Sequence, residues 1–320
     1  MTAQLTIQIV GWNSSSVLAQ TLPALHVVPL ADVIIRYIDN HSTDDSIATV
    51  RKLLPRAQVV ALPRNLGFAQ GHNEGFIRCT TPYVLTCDPD VTLHWPGVQV
   101  LIQALEGDPT LGAVQGKLLR QEIINNKSMI DSAGIVLTYA LNGKERGAFE
   151  EDKGQFATRA TITATTGACS LYRLQALKQV AHGRNEFYDR DFFAYKEDVD
   201  LGWRLQRAGW KVHYVPVLIG HHARTLGRRG IFNWGSRPRL IYRRLQSPRT
   251  RYSLRNWIWM IAKNATPMTI FQYSPAIIGR GLVFLGLSLL YPSLFKIWPE
   301  VISGLPRMNR KRREGVLKQI

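Results

Sequence analysis

Apolar and polar positions change period along this chain. Short β-branched runs at residues 5–10, 33–38, 58–62 and 83–86 alternate with stretches of helical period such as 46–54 and 68–79. Strand followed by helix, repeated, predicts a parallel sheet covered on both faces. Ligands of such sheets sit beyond the carboxyl ends of the strands. The residues to read for chemistry are therefore those just after each run: Gly11-Trp12-Asn13, Asp39-Asn40, Pro63-Arg64-Asn65 and Asp88-Pro89-Asp90.

From Ala133 to Thr166 the pattern becomes alternation around Asn142-Gly143, which predicts a hairpin or a small antiparallel insertion. Residues 197–208 predict a helix with acids in its first turn, Arg204 and Arg207 near its end and Gly209 to stop it, followed by a strand over 211–215. Two charge-free stretches, 264–279 and 281–295, each fall short of the roughly 20 residues a spanning helix needs. Pro267, Pro275 and Pro292 interrupt them, so interfacial or re-entrant helices are expected.

Charge divides the chain more sharply than hydropathy does. Residues 1–200 carry 18 Lys/Arg and 21 Asp/Glu, whereas residues 201–320 carry 22 Lys/Arg and only Glu300 and Glu314. Ten arginines fall between Arg224 and Arg255, interleaved with Phe232, Trp234, Tyr242 and Tyr252. Such a segment wants a polyanionic neighbour. With 320 residues and 45% hydrophobic content a sizeable core can form. Cys79, Cys87 and Cys169 show neither metal spacing nor an even count, which fits a reducing compartment, and residues 1–20 do not read as a secretory signal.

Several constellations offer chemistry, each with a plain structural alternative. Asp88 and Asp90 flank Pro89 at a strand end; two carboxylates converging there suit Mg²⁺ or Mn²⁺, while a polar turn explains the same tripeptide. Asp39 lies on the ligand edge, ahead of an Asx-rich helix cap. Gly67, Gly71 and Gly75 recur four apart, as helix–sheet packing requires, whereas Asn65 and Asn73 are harder to explain by packing. Glu197, Asp198 and Asp200 open a helix after Phe192, Phe193 and Tyr195; helix-dipole preference accounts for the acids, and so does a general base beside aromatic sugar platforms. His221 and His222 follow the last strand, where alternation lets at most one reach a metal.

In their order, "VGWNS", "IDNHSTDDS", "RNLGFAQGHNEG", "CDPDV", "TTGACSLYR", "FFAYKEDVDLGWRLQRAGW" and "YVPVLIGHH" resemble the inverting nucleotide-sugar glycosyltransferases of family 2, most closely the bacterial rhamnosyltransferase-like branch. The resemblance covers about residues 5–225. It implies an α/β GT-A fold, a Rossmann-like nucleotide-binding mixed sheet flanked by helices. The catalytic domain would occupy residues 1–222, with 1–117 as the nucleotide-sugar half and 118–222 as the acceptor and base half. A basic, amphipathic, membrane-associating helical tail would follow over 223–320. It further implies that Asn13, Asp39, Asn65, Gly67, Asn73 and Asp88 line the nucleotide-sugar donor. Asp88 and Asp90, as the DxD motif, would hold Mg²⁺ or Mn²⁺ with His222, or alternatively His221. Asp198 would be the catalytic base, and Gly167, Tyr195, Glu197 and Trp203 would meet the acceptor sugar. Trp12 stands where such enzymes commonly carry tyrosine or another residue, which leaves base selectivity open.

The implied reaction is transfer of L-rhamnose from dTDP-rhamnose, or of a hexose from a UDP-sugar, to a glycan or polyprenyl-diphosphate-linked acceptor in cell-surface polysaccharide synthesis. A nucleotidyltransferase of similar shape is the competing enzyme, but "VGWNSSSV" is not the glycine-rich basic loop it would carry. A nucleic-acid-binding protein is the competing non-enzyme, and no nucleic-acid fold is recognisable, so no nucleic acid is expected as partner. The tail instead predicts helices on an anionic membrane surface, with Trp257, Trp259, Phe284, Leu285 and Trp298 inserted at the interface, a homodimer as the other partner, and a cytoplasmic enzyme peripheral on the inner face of the cell membrane.

Overall fold

The computed structural model describes residues 3–124, 126–224, 245 and 247–317. They divide into two compact units, one of residues 1–136, 145–193 and 197–225, the other of residues 137–144, 194–196 and 226–320. Along the chain the alternating segments form β1 (Leu5–Gly11), α1 (Ser15–Thr21), β2 (Val33–Asp39), α2 (Ser46–Leu53), β3 (Gln58–Ala61), α3 (Gly67–Ile77) and β4 (Tyr83–Cys87). There follow β5 (Val91–Leu93), α4 (Trp95–Gly107), β6 (Leu111–Arg120), β7 (Ile130–Ser132), β8 (Ile135–Leu137), β9 (Gly143–Glu145), β10 (Ala160–Thr161), β11 (Cys169–Arg173), α5 (Leu174–Val180), α6 (Glu197–Arg207) and β12 (Lys211–His222).

The main sheet runs β10-β12-β6-β11-β4-β1-β2-β3, with β5 and β7 paired to β12 and β6. Strands β1 to β4 pair in parallel, and β12 pairs in parallel with β6. β11 runs antiparallel between β4 and β6, which makes the sheet mixed. Side chains alternate across it: Ile7, Leu85 and Leu171 join one buried cluster, while Val84, Tyr172, Leu201 and Leu205 join the other. Because the order of connection reverses between β1 and β4, their carboxyl ends open a crevice at the switch point.

The expected hairpin exists as β8 and β9, but its turn is not Asn142-Gly143. Gly143 already belongs to β9, and Leu141 takes the positive φ of 51° in a loop of residues 138–142. The strand expected over 211–215 runs on to His222, so both histidines lie within it.

Helix α3 lies close on the sheet, as its glycines predict. A Cβ on Gly71 would stand 2.8 Å from Val10 Cγ1, and one on Gly75 would stand 2.0 Å from Gln8 Oε1. Gln8 cannot retreat, because its amide donates to His72 Nδ1 (2.8 Å) and to the His72 carbonyl (3.0 Å). Burial drives the His72 imidazole down from 6.5 to about 3. Between those values the unfolded chain binds more protons than the folded one, so stability rises with pH across that window. The contribution is complete above pH 6.5 and is lost as the pH falls toward 3, at up to about 1.4 kcal/mol per pH unit. Urea unfolding at pH 7, 6 and 5 should show His72→Asn, which keeps an acceptor for Gln8, losing less stability than the parent as the pH falls. Parallel pH profiles would exclude His72 as the source.

The second unit is helical: α7 (Pro248–Asn264), α8 (Pro267–Leu290) and α9 (Ile297–Leu317). Ser247 and Thr266 cap α7 and α8 by accepting from Thr250 N and Thr269 N. Helix α9 presses on α7 at Gly304, where a Cβ would meet the Trp259 ring at 2.2 Å. Glu300 receives Arg251 and Arg255, and Arg255 also lies 4.3 Å from the Trp259 ring centre.

Two expectations for this region are overturned. The charge-free stretches do not break into short pieces; α8 is one 24-residue helix that passes through Pro275. Proline removes the N–H that would bond the Phe271 carbonyl, and the Ser274 hydroxyl occupies that carbonyl at 2.9 Å instead. By length and composition α8 suffices to cross a membrane. The expected membrane anchors Trp257 and Trp259 are 3% and 2% exposed, their indoles donating to the Ala140 and Val301 carbonyls. Phe284 packs edge-on against Trp257, whereas Leu285 is exposed. Most of the arginines between Arg224 and Arg255, with Phe232, Trp234 and Tyr242, lie outside the described residues.

Candidate functional site

Two loops fasten to each other at the rim of the crevice. After β1, Asn13 adopts a φ of 49° and its Oδ1 accepts from Thr43 N at 2.8 Å. Ser14 N donates to Ser46 Oγ and Ser15 N to Asp44 Oδ2. At the end of β2, Asp39 is buried and accepts from Ser42 N at 2.9 Å, while Trp12 stands 56% exposed beside this rim. Asn65 accepts from Gly67 N, and Asn40, to which sequence reading gave no role, clamps that loop through Leu66 N and the Gly67 carbonyl. Gly67 has a φ of 82° and lies so close to Phe193 that a Cβ would meet its ring at 2.5 Å.

Asn73 is a correction. It is fully buried, its Oδ1 accepts from Phe187 N and Tyr188 N, and its Nδ2 donates to the Tyr188 carbonyl and to Gln70. An amide with all its capacity used on the chain has none left for a sugar nucleotide. It anchors the segment before α6.

At the centre of the crevice three groups that could hold a metal ion converge. β5 pairs antiparallel with β12, setting His222 opposite Val91 and His221 opposite Thr92. His222 Nε2 thereby lies 3.1 Å from Asp90 Oδ1 and 3.9 Å from Asp88 Oδ2, and the ligand atoms of all three residues fall within 4.8 Å of one another. Alternation along β12 turns the half-buried His221 away, which separates the two histidines that the sequence left open. Asp131, on β7, accepts from His222 Nδ1 at 2.9 Å and from Arg224 Nε at 2.8 Å, with Arg120 Nε at 3.7 Å.

This arrangement governs protonation. Burial pulls the imidazole of His222 down, but its bonds to Asp131 and Asp90 outweigh it and raise the group to about 9. Burial pushes Asp88 up to about 7 against the attraction of His222, although its side chain keeps 26% exposure toward the crevice. Burial also opposes ionisation of Asp131, yet hydrogen bonds from His222 and Arg224 hold it below the ordinary carboxylate range. Two carboxylates and an imidazole whose far nitrogen is fixed by a third carboxylate make a donor set that fits a divalent ion such as Mn²⁺ or Mg²⁺.

The first turn of α6 supplies the other carboxylates. Asp198 Oδ2 accepts from Gly167 N at 3.1 Å and Oδ1 from Val199 N at 2.7 Å. Glu197 is buried, and Trp203 is half-buried one turn further on. Asp200 pairs with Arg204 at 3.0 Å, whose other nitrogens hold the Val180 and Phe187 carbonyls, so this acid secures the helix. Tyr195 belongs to the second unit, where Asn256 holds its carbonyl and Arg249 lies 5.4 Å from its ring centre.

Sequence reading missed Asp131, Glu145 and Arg224. Glu145 accepts from Ser132 Oγ and Thr166 Oγ1 and lies 4.0 Å from Arg224; burial raises its carboxyl to about 7, with Asp198 adding to the effect. One signal was available for Asp131. An acid between Ile130 and Ser132 in an apolar run must find a partner if that run is buried.

A family model described as glycosyltransferase like family 2 matches residues 3–239. Among curated proteins, an N-acetylglucosaminyl-diphospho-decaprenol L-rhamnosyltransferase of Mycobacterium tuberculosis is 26% identical over 259 residues, covering 71% of this chain and 79% of the relative. A poly-beta-1,6-N-acetyl-D-glucosamine synthase of Staphylococcus aureus is 23% identical over 217 residues, covering 67% of this chain and 48% of the relative. Among solved structures, a mannosyltransferase from Pyrobaculum calidifontis in complex with GDP-mannose and Mn²⁺ aligns with a TM-score of 0.54 at 14% identity, covering 100% of this chain and 87% of that one. TarS residues 1–349 from S. aureus align at 0.51 and 13% identity, covering 98% and 92%. These likenesses show a GT-A fold.

Proposed function

The chain belongs to the family 2 glycosyltransferases, and from that premise we propose that it moves L-rhamnose from dTDP-rhamnose to a polyprenyl-diphosphate-linked acceptor, inverting the sugar's configuration. The observation that carries this reading is the convergence of Asp88, Asp90 and His222 at the sheet's switch point. The name of the mycobacterial relative supports both the sugar and the lipid-linked acceptor. A hexose from a UDP-sugar is the second donor reading.

Asp88, Asp90 and His222 would hold a Mg²⁺ or Mn²⁺ ion, which supplies Lewis-acid neutralisation of the charge developing on the leaving diphosphate. Asp131 keeps the His222 ring oriented, and Asn13, Asp39, Asn65 and Gly67 form the rim on which the nucleotide would rest. Gly167 N and Val199 N hold Asp198, which would take the proton of the acceptor hydroxyl as that oxygen attacks. Glu197 and Trp203 would flank the acceptor sugar. One base acting on one face of attack gives inversion with no covalent intermediate.

The test is thermal unfolding with dTDP-rhamnose, UDP-glucose, UDP-N-acetylglucosamine and GDP-mannose in the presence of Mn²⁺. A donor at 100 times its Kd adds about 2.7 kcal/mol of stability. Stabilisation by dTDP-rhamnose above the others is expected; a larger effect of a UDP-sugar replaces the donor, and no effect from any of the four refutes the reading.

A lipid-linked acceptor also places the enzyme at the inner face of the cell membrane. Met268, Phe271, Ile278, Leu282, Leu285 and Leu289 stand exposed on α8 at alternating spacings of three, seven, four, three and four residues, with Pro275 filling the interval. That stripe carries no charge, because Arg280 turns back to lie 5.0 Å from Trp257 and 4.9 Å from Phe284. No acid occurs between Asp200 and Glu300 to repel anionic headgroups. Near-surface cations contribute about 1 kcal/mol each. The full-length protein should co-sediment with anionic vesicles, and Phe271→Glu with Leu282→Glu should reduce binding about tenfold or more. Equal binding by parent and variant, or none by the parent, defeats this assignment, and sedimentation equilibrium then tests the face as a homodimer contact.

A further inference from the structure

Four residues of the first unit, with the backbone N–H of Thr166 as one link, close a hydrogen-bonded ring beside the candidate base. Thr166 N donates to Gln115 Oε1 at 2.6 Å, and Gln115 Nε2 donates to Ser132 Oγ at 2.9 Å. Ser132 Oγ donates to Glu145 Oε2 at 2.5 Å, and Thr166 Oγ1 donates to Glu145 Oε1 at 2.8 Å, which returns to the start. Gln115, Ser132 and Thr166 are each no more than 2% exposed. The next backbone N–H after Thr166, that of Gly167, donates to Asp198 Oδ2.

Glu145 is the member of this ring that also reaches the other arm of the crevice. Its Oε1 lies 4.0 Å from Arg224 Nη2, Arg224 Nε bonds Asp131, and Asp131 bonds His222. A packing role alone does not call for an acid here, since a neutral side chain would fill the same space without the cost of a partly buried charge. A carboxylate is required when two hydroxyl donors and a guanidinium must be held from one point.

We infer that Glu145 is a positioning residue for the transfer step: it fixes Thr166, and through the Gly167 N–H it fixes the carboxylate of Asp198. The inference rests on the reading of Asp198 as base. Glu145 takes no proton in the reaction and touches no donor atom. Its loss lets the 165–167 segment shift, and a displacement of the base by about 1 Å costs on the order of 10²-fold in rate.

The experiment pairs a substrate-free readout with kinetics on the full-length chain, using Glu145→Ala, Glu145→Gln, Thr166→Val and the double variant Glu145→Ala/Thr166→Val. Hydrogen exchange followed by mass spectrometry reads the peptide over residues 163–169, and should run about tenfold faster in Glu145→Ala and Thr166→Val than in the parent. With dTDP-rhamnose or a UDP-sugar as donor, kcat should fall by about 10²-fold in Glu145→Ala while the donor KM stays within about twofold. Glu145→Gln, which keeps an acceptor for Thr166, should recover part of the loss. The double variant should be no slower than the slower single one, because both cut one linkage. Unchanged exchange of that peptide overturns the inference whether or not any donor is turned over, as does an additive double variant or a loss confined to KM. A parent that turns over no donor refutes the proposed function instead, and the exchange result still decides the role of Glu145. If Glu145→Ala does not fold, Thr166→Val and Glu145→Gln carry the same comparison.

Discussion

Asp198→Asn should lower the rate of transfer by about 10²–10⁴-fold, the range that a positioned general base contributes, while donor binding stays close to that of the parent. The two oxygens of Asp198 each accept one backbone N–H, from Gly167 and Val199. An amide can accept only one of them and turns its NH₂ toward the other, so a modest local cost accompanies the loss of basicity. Measuring donor-induced thermal stabilisation beside kcat separates the two effects. Turnover within about threefold of the parent would remove Asp198 from the role of base.

Asp90→Ala should weaken Mn²⁺-dependent binding of the nucleotide sugar by more than about 100-fold, and exhaustive chelation of the parent should do the same. The floor comes from groups one shell further out, whose loss ordinarily costs 10–100-fold in metal affinity. Asp131→Asn therefore belongs in the same series with the smaller loss, since Asp131 bonds His222 rather than offering an atom to the ion. Titration of Mn²⁺ followed by its electron paramagnetic resonance gives the affinities without recourse to turnover. Activity that survives complete removal of divalent ions would refute the metal reading of Asp88, Asp90 and His222, and Asp131→Asn outranking Asp90→Ala would reverse their assigned order.

What the sequence makes legible here is what depends on near neighbours. The four β-branched runs became β1 to β4 within a residue at each end, since apolar alternation and the polar residues after each run are local signals. The close seat of α3 was readable from three glycines four apart. Asp88 and Asp90 stood out for the same reason, as two carboxylates at a strand end, although a polar turn explains that tripeptide equally well from the sequence. The rest depends on partners distant in the chain. Nothing local tells that Asn73 spends its amide on residues 187 and 188, or that Glu145 and Thr166 meet across 21 residues. His222 was separable from His221 only once β5 fixed the register of β12. In α8 the error was physical: a proline counts against a helix when its orphaned carbonyl is unserved, and Ser274 serves it.

The place of β11 in the sheet bears on how the protein comes to exist at all. Strands β1 to β4 can join as they leave the ribosome, each beside a neighbour already made. β4 then waits with one edge bare until Cys169–Arg173 is synthesised, and β6 waits for that strand and for β12. A chain cut off during synthesis before residue 222 thus has both aspartates and no histidine to complete them, with open strand edges that invite aggregation. On the proposed metal site, ion affinity should appear only in chains long enough to release β12 from the exit tunnel, and chains stalled earlier should aggregate more readily than finished ones.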